Sequence, residues 1–268
     1  MAKDREKAYV LWFDELRRAD VSLVGGKSSS LGELTSQTDV PVRYGFATTA
    51  EGYRHFMHET GMDVTIPELL KGLTDVVTAK IRKAICDAEM PADLAADIRK
   101  SYEELGKKVG EANPFVAVRS SATAEDLPDA SFAGQQDTYL NVQGADMVIQ
   151  KVKECYASTF TDRATYYRTK QGFDHLSVAL SAAIQMMVFS KAAGVMFTVD
   201  LVTGDDSTIT IEGAWGLGEY VVQGTVTPDN FKVRKDDLTI LSKMINTKPI
   251  ELVRKPGGDC EEKLVPPE

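Results

Sequence analysis

Cysteine is scarce in this chain of 268 residues: only three occur, far apart at Cys86, Cys155 and Cys260. None belongs to a Cys-x-x-Cys pair, so the sequence indicates neither a disulfide framework nor a zinc site. Cys86 and Cys155 lie in amphipathic stretches with helical spacing. We therefore predict that both are small core residues without a catalytic role.

Long hydrophobic runs are also lacking. The apolar run near the N-terminus covers residues 9–13, and Asp14 and Glu15 follow it at once. Five apolar residues are too few for the core of a signal peptide, and no stretch approaches the ~20 apolar residues of a membrane helix. The sequence therefore predicts a cytoplasmic protein with no membrane partner.

The chain has no excess of positive charge: 31 Lys and Arg face 40 Asp and Glu, for a formal net charge of −9. A nucleic-acid surface needs clustered Lys and Arg to replace counterions, so we predict no nucleic-acid partner. An anionic ligand would need a local basic site, which directs attention to individual Lys and Arg residues.

Histidine is rare as well, with three in the chain. His55 and His58 stand three residues apart on a predicted helix, a spacing that suits a metal ion. No third ligand is apparent, so the sequence favours a solvated helix face and predicts no metal site in this chain.

The hydrophobic periodicity predicts an α+β protein. Helical spacing dominates the first two-thirds of the chain. Pro67 is predicted to open one helix, and Pro91 to open another that buries a single stripe of Leu94, Ile98, Tyr102 and Leu105. Strand patterns then take over at residues 178–188, 194–199 and 208–211, and residues 231–241 resemble a hairpin. Helices followed by antiparallel-type strands are typical of α+β folds.

Two segments carry residues suited to phosphate. The first reads as an apolar strand at 21–24, then Gly25-Gly26-Lys27-Ser28, then a helix. Glycines let a backbone approach phosphate, and a helix N-terminus offers free N–H groups. The motif is not a Walker A loop, because Val21 stands where that motif needs its first glycine. From these residues alone, an ordinary turn with a solvated lysine is an equal alternative.

The second segment runs from Val116 to Thr138, where a short apolar strand leads to Arg119. Arginine offers a planar fork of donors for phosphate oxygens, and Gly134 would let a loop close over a polyphosphate. Hydroxyl groups add neutral donors at Ser120, Ser121, Thr123 and Thr138. A surface loop in which Arg119 pairs with Glu125 or Asp126 is the alternative, and composition does not separate the two.

This second segment closely resembles the signature of the ATP-binding domain of the phosphoenolpyruvate synthase and pyruvate phosphate dikinase family, a domain that rifampin phosphotransferase shares. Six further stretches resemble the same family, and the likeness spans residues 9 to about 235: Tyr9–Leu16, Leu23–Lys27, Gly45–Ala50, Cys155–Ala164, Gly194–Thr198 and Ala214–Gly224. One departure is Tyr44, since the family usually has proline before Gly45.

The resemblance implies an ATP-grasp fold that holds adenine between two α+β lobes, which we place at residues 1–183 and 184–268. It implies that ATP and Mg²⁺ are the cofactors. It also implies these nucleotide-binding residues: Lys27 and Arg119 on the phosphates, Gly134 and Thr138 in the loop over them, and Gln185, Met187 and Val188 at the adenine pocket. On the strand pattern, Gln185 and Met187 share the face opposite Ile184, Met186 and Val188.

In the family, ATP phosphorylates a histidine on a separate domain, giving AMP and phosphate, and pyruvate then accepts the phosphoryl group. The resemblance therefore implies a phosphohistidine domain as partner, in the same longer chain or in another subunit. The family's histidine segment, its Asp-Ile-Glu-Trp metal-binding segment and its Gln-Ala-Arg-Pro strand are not found before Glu268. We therefore expect a second lobe that is incomplete at its C-terminus, no catalytic residue in this chain, and no activity of the chain alone. An ATP-binding subunit of phenylphosphate synthase and a non-catalytic module of the same fold are the alternatives.

Overall fold

The computed structural model describes residues 4–72, 75–123, 126–127, 130–131 and 137–266. Gly134, predicted for the phosphate loop, lies outside these residues. The chain forms two compact units, Met1–Met187 and Val188–Glu268. The mixture of helices with antiparallel sheets confirms the predicted α+β class. The lobe boundary between residues 183 and 184 stays a prediction.

The first unit is built on a five-stranded antiparallel sheet. Its helices are α1 (Val21–Gln37), α2 (Ala50–Glu59), α3 (Met62–Leu70), α4 (Asp75–Asp87), α5 (Ala92–Val109), α6 (Ala145–Ser158) and α7 (Asp162–Gln171). Its strands are β1 (Val10–Trp12), β2 (Gly45–Thr48), β3 (Val116–Ala122), β4 (Asp126–Leu127), β5 (Ala130–Ser131), β6 (Thr138–Val142) and β7 (Leu180–Met186). The order in the large sheet is β1-β2-β7-β3-β6, and β4 pairs with β5 apart from it.

The two faces of the large sheet differ. One face carries the main core, in which Phe46 of β2, Val118 of β3 and Ile184 of β7 pack with residues of α2 to α6. The other face carries a smaller apolar cluster, which we call the second cluster: Ala8, Leu11, Phe13, Leu16, Val24, Ala47 and Ala183. Helix α1 packs against β3 and β7 on this second face.

Helix α5 shows how the sequence pattern produces the core. Its stripe of Leu94, Ile98, Tyr102 and Leu105 is buried, as predicted from the spacing. The helix follows Pro91, and it ends at Gly110, whose φ of +75° places it in the left-handed region where glycine carries no steric penalty. Local pattern and tertiary burial therefore agree in this helix.

Two sequence-based predictions about helix starts were wrong. Residues 21–24 are helical rather than extended, because Val24 packs in the second cluster as part of α1. Pro67 does not open a helix: α3 begins five residues earlier, after Gly61 at φ +66°. The apolar residues beyond Pro67 therefore belong to two helices, α3 and α4, rather than one.

The second unit is rich in strands. A four-stranded antiparallel sheet has the order β11-β10-β9-β8, formed by β8 (Ala192–Phe197), β9 (Thr208–Trp215), β10 (Asp229–Arg234) and β11 (Ile240–Met244). Helix α8 (Glu219–Val222) is short, and β12 (Ile250–Arg254) pairs with β13 (Cys260–Leu264). The predicted hairpin at residues 231–241 is confirmed as β10 and β11. Within the described residues, no helix is long and apolar enough to cross a membrane.

Candidate nucleotide-binding site

The Lys27 segment is a helix that breaks and starts again. Helix α1 is interrupted at Gly25, which has φ +73° and ψ +169°, and the helix resumes directly after it. Lys27 lies, half-buried, at the start of the resumed part. The first N–H groups of a helix have no acceptor within it and carry partial positive charge, which suits an anion. The segment thus combines a cationic side chain with a helix N-terminus.

Gly25 makes a close approach to strand β3. A Cβ atom built on Gly25 would overlap the backbone and side-chain oxygens of Ser121. The Ser121 hydroxyl donates to the Val24 carbonyl oxygen over 2.9 Å and accepts the backbone N–H of Ser28 over 3.3 Å. The turn that carries Lys27 is therefore fastened to β3 only two residues after Arg119.

Three of the predicted binding residues lie on one face of the large sheet. Arg119 is paired directly with Ala183 of β7 on one side and with Thr138 of β6 on the other. Directly paired residues lie on the same face of a sheet, and so do residues two apart in one strand. Gln185, two residues after Ala183 in β7, therefore lies on the same face as Arg119 and Thr138. Since Ala183 belongs to the second cluster, this is the face that α1 covers. The structure thus brings Lys27, Arg119, Thr138 and Gln185 to one side of the sheet.

The neighbours of Arg119 on this face have small side chains. On this face, small residues flank Arg119 in β3 and precede Gln185 in β7, and small residues also occupy β2. They are Ala117 and Ser121 in β3, Ser181 and Ala183 in β7, and Gly45 and Ala47 in β2. Gly45 is required where it stands, because a Cβ atom there would overlap the Phe13 ring and the Ile184 carbonyl oxygen. Small residues leave room above the strands for the guanidinium of Arg119 and the amide of Gln185.

The predicted alternation is confirmed for Ile184 and Gln185 of β7. Ile184 is fully buried in the main core, whereas Gln185 is half-buried on the other face and donates from Nε2 to the Arg43 carbonyl oxygen over 3.5 Å. The strand ends at Met186. Met187 is 8% exposed, and its backbone N–H donates to the Phe115 carbonyl oxygen over 2.9 Å.

Val188 is 47% exposed and is the first residue of the second unit. The predicted adenine residues thus fall at the end of β7 and just beyond it.

The start of β6, next to Thr138, is held by Asp137. The backbone oxygen of Asp137 accepts the N–H of Ser120 over 3.1 Å and its hydroxyl over 3.2 Å. The Tyr139 hydroxyl donates to the Asp137 carboxylate over 3.1 Å. Burial, and then the charge of Asp137, raise the pKa of Tyr139, so the phenol stays neutral and keeps this donor. Thr138 is therefore carried on an anchored strand start.

The hydroxyl groups predicted as phosphate donors are used differently from one another. Those of Ser120 and Thr123 bond to backbone oxygens of Asp137 and Ala179, and that of Ser121 binds α1. The contact of Ser121 with α1, which joins the two motifs, was not predicted from the sequence. Local pattern carries no signal for it, because Ser121 and Ser28 are 93 residues apart.

Within the described residues, no group of three or more His, Cys, Asp or Glu side chains is placed to hold a metal ion. His55 instead contacts Asp93 through Nε2 at 2.9 Å and stacks on Tyr9, and His58 contacts Asp63 at 3.0 Å. The two histidines thus have separate acidic partners.

Comparison with known proteins places the chain clearly. The family model described as pyruvate phosphate dikinase, AMP/ATP-binding domain, matches residues 21–268. A probable phosphoenolpyruvate synthase of Methanocaldococcus jannaschii is 49% identical over 96% of this chain, and one of Staphylothermus marinus is 49% identical over 94%. The phosphoenolpyruvate synthase of Pyrococcus furiosus is 45% identical over 92% of the chain.

These relatives are much longer than the present chain. The matched region covers 22% of the Methanocaldococcus protein, 31% of the Staphylothermus protein and 35% of the Pyrococcus protein. The similarity therefore concerns one part of each relative.

Proposed function

The chain belongs to the pyruvate phosphate dikinase AMP/ATP-binding domain family, and from that premise we propose that it is the ATP-binding part of a dikinase-type phosphotransferase. Phosphoenolpyruvate synthase is the proposed enzyme, since the relatives named above carry that name. The full reaction would convert pyruvate, ATP and water to phosphoenolpyruvate, AMP and phosphate. An ATP-grasp arrangement and a cytoplasmic location belong to the same proposal.

We assign the phosphates to Lys27, Arg119, Gly134 and Thr138. Both cations can meet phosphate oxygens, Arg119 through a planar fork and Lys27 as a mobile point charge. The observation that carries the proposal is the fastening of the Lys27 turn to β3 beside Arg119, on the face that also holds Thr138 and Gln185. Two motifs distant in sequence thus present positive groups to one side of the sheet.

We assign the adenine ring to Gln185, Met187 and Val188. The Gln185 side chain supplies an amide donor and acceptor, and Met187 a polarizable apolar surface. The backbone groups of Val188 are suited to the polar edge of the base. Gln185 lies on the same face of the large sheet as Arg119, which supports the proposal that the base and the phosphates of one nucleotide bind on that face.

Two components of the reaction are proposed from the family resemblance. A phosphohistidine domain, in the same chain or in a separate subunit, would receive the phosphoryl group. Magnesium would neutralise phosphate charge when it binds with the nucleotide. The described residues hold no cluster of three potential metal ligands, and we assign no metal ligand to this chain. The role that we propose for the chain is to bind and orient ATP.

Isothermal titration of the chain with ATP tests the assignment. Lys27→Ala and Arg119→Ala each remove a charge-assisted phosphate contact of roughly 1.5–3 kcal/mol, so each should raise the Kd for ATP by about tenfold or more. Lys83→Ala is the matched control, because this exposed lysine pairs with Asp87 on α4. Unchanged ATP binding in both site variants would refute the assignment.

A further inference from the structure

The hydroxyl of Ser121 stands in the gap of a broken helix. In a continuous helix the Val24 carbonyl oxygen would accept the N–H of Ser28, four residues on. In α1 the Ser121 hydroxyl lies between them, donating to Val24 and accepting from Ser28. A side chain that inserts into the helical ladder is a recognised cause of a kink. Ser121 therefore satisfies both backbone groups that the break at Gly25 separates.

The break has a structural consequence for Lys27. Because the ladder is interrupted at Gly25, the helix starts a second time, and Gly26 and Lys27 lie in the first turn of the new start. Without the break, Lys27 would lie in the second turn of a continuous helix, where N–H groups are bonded internally. The helix N-terminus beside Lys27 thus exists because α1 is interrupted.

Burial makes this arrangement specific. Ser121, Val24, Gly25 and Ser28 are all buried, so their polar groups depend on partners within the protein. The fit is also close, since Gly25 leaves no room for a Cβ atom against Ser121. Ser121 is in β3 two residues from Arg119, so the same contact sets the spacing between the two cation-bearing segments.

We propose that Ser121 is a positioning residue for the nucleotide phosphates: its hydroxyl holds α1 open at Gly25 and so fixes Lys27 and its helix N-terminus relative to Arg119. This inference rests on the proposed function, because it concerns the same phosphates. Ser121 acts through Lys27 and its turn rather than by touching the nucleotide. It should therefore affect ligands with phosphates and leave adenosine, which has none, unaffected.

The test is a double-mutant cycle on the chain, read by titration with ATP and with adenosine. Ser121→Ala should raise the Kd for ATP about tenfold, the loss expected for a charged contact moved out of place, and leave the Kd for adenosine within twofold. In the Lys27→Ala background, Ser121→Ala should raise the Kd for ATP by markedly less than tenfold, because one of the two groups that Ser121 positions, the Lys27 ammonium, is already gone and only the helix N-terminus remains.

Ser158→Ala is the matched control, since this buried serine of α6 likewise donates to a backbone oxygen, that of Cys155 over 2.6 Å. It should lower the thermal midpoint without altering the Kd for ATP. Ser121→Cys keeps a weak donor in a slightly larger side chain and should give an intermediate loss. The cysteine variant carries the same test where the alanine variant does not fold.

The outcomes separate this inference from the proposed function. If Lys27→Ala leaves ATP binding unchanged, the phosphate assignment itself is wrong. If Lys27→Ala weakens ATP but Ser121→Ala and Ser121→Cys do not, positioning by Ser121 is wrong while the assignment stands. Equal weakening of ATP and adenosine by Ser121→Ala, or full additivity with Lys27→Ala, would show a general structural role and overturn the proposal.

Discussion

Replacing Gly25 by alanine should destabilise the first unit strongly. At φ +73° and ψ +169°, Gly25 occupies a backbone region that is essentially restricted to glycine, where another residue costs roughly 1–3 kcal/mol. The added Cβ would also overlap Ser121, and overpacking of this kind costs roughly 1–3 kcal/mol more. The free energy of unfolding of the first unit should therefore fall by about 2–6 kcal/mol, a large part of the roughly 5–15 kcal/mol that stabilises a typical domain.

Gly110→Ala is the control for the backbone contribution. Gly110 also has a positive φ, +75°, but nothing lies within 4 Å of the position its Cβ would take. Gly110→Ala should lower the free energy of unfolding by only about 1–2 kcal/mol, which is the cost of a left-handed conformation in a residue with a side chain. The loss beyond that of Gly110→Ala therefore combines the close approach of α1 to β3 with the more restricted backbone region of Gly25, whose ψ is +169° against +19° at Gly110.

Urea unfolding followed by tryptophan fluorescence measures both variants. The chain has two tryptophans, Trp12 in β1 of the first unit and Trp215 in β9 of the second. In a Trp215→Phe background the signal reports the first unit alone, which avoids treating two units as one transition. If Gly25→Ala costs no more than Gly110→Ala, the described contact between Gly25 and Ser121 is refuted.

Two further predictions concern charged groups in each unit. Burial, and then the charge of Arg168, lower the pKa of His175, whose neutral ring accepts the Arg168 Nε–H over 3.3 Å. The unfolded chain therefore takes up this proton first as the pH falls below about 6.5, so stability should be complete above that pH and decrease below it. His175→Gln should flatten the slope of the unfolding free energy between pH 7 and 5, and an unchanged slope would refute this. In the second unit, the Lys248 side chain is 5% exposed, and its ammonium group is held by Asp229 and by the Asn246 carbonyl oxygen. Lys248→Met should cost about 3 kcal/mol by leaving the Asp229 carboxylate without its cation. The reporter is Trp215 in a Trp12→Phe background; exposed Lys263→Met is the control, and equal losses would contradict the prediction.

The sequence predicted the elements whose local pattern agrees with their burial. The buried stripe of α5 and the β10–β11 hairpin follow from spacing and turn residues alone. The helical conformation of residues 21–24 does not follow from the sequence, because a run of four mainly apolar residues fits a strand and a buried helical turn equally well. Only the packing of Val24 in the second cluster decides between the two.

The site was predictable as separate pieces rather than as an assembly. Lys27 and Arg119 stand out locally, because each follows a glycine pair or a short apolar strand in a recognisable motif. Their association depends on the contacts of Ser121 with Val24 and Ser28 across more than ninety residues, which no local pattern contains. The sequence did suggest that glycines allow close approach. In the structure, the approach made by Gly25 is to strand β3.

Hydrogen exchange measured by mass spectrometry with and without saturating ATP tests the central claim directly. The nucleotide phosphates are proposed to bind on the α1 face of the large sheet. We predict that ATP slows exchange in peptides covering residues 21–30 and 116–122 and leaves α5, on the main-core face, unchanged. Slower exchange confined to α5, or no change in either site peptide at saturating ATP, would contradict the account.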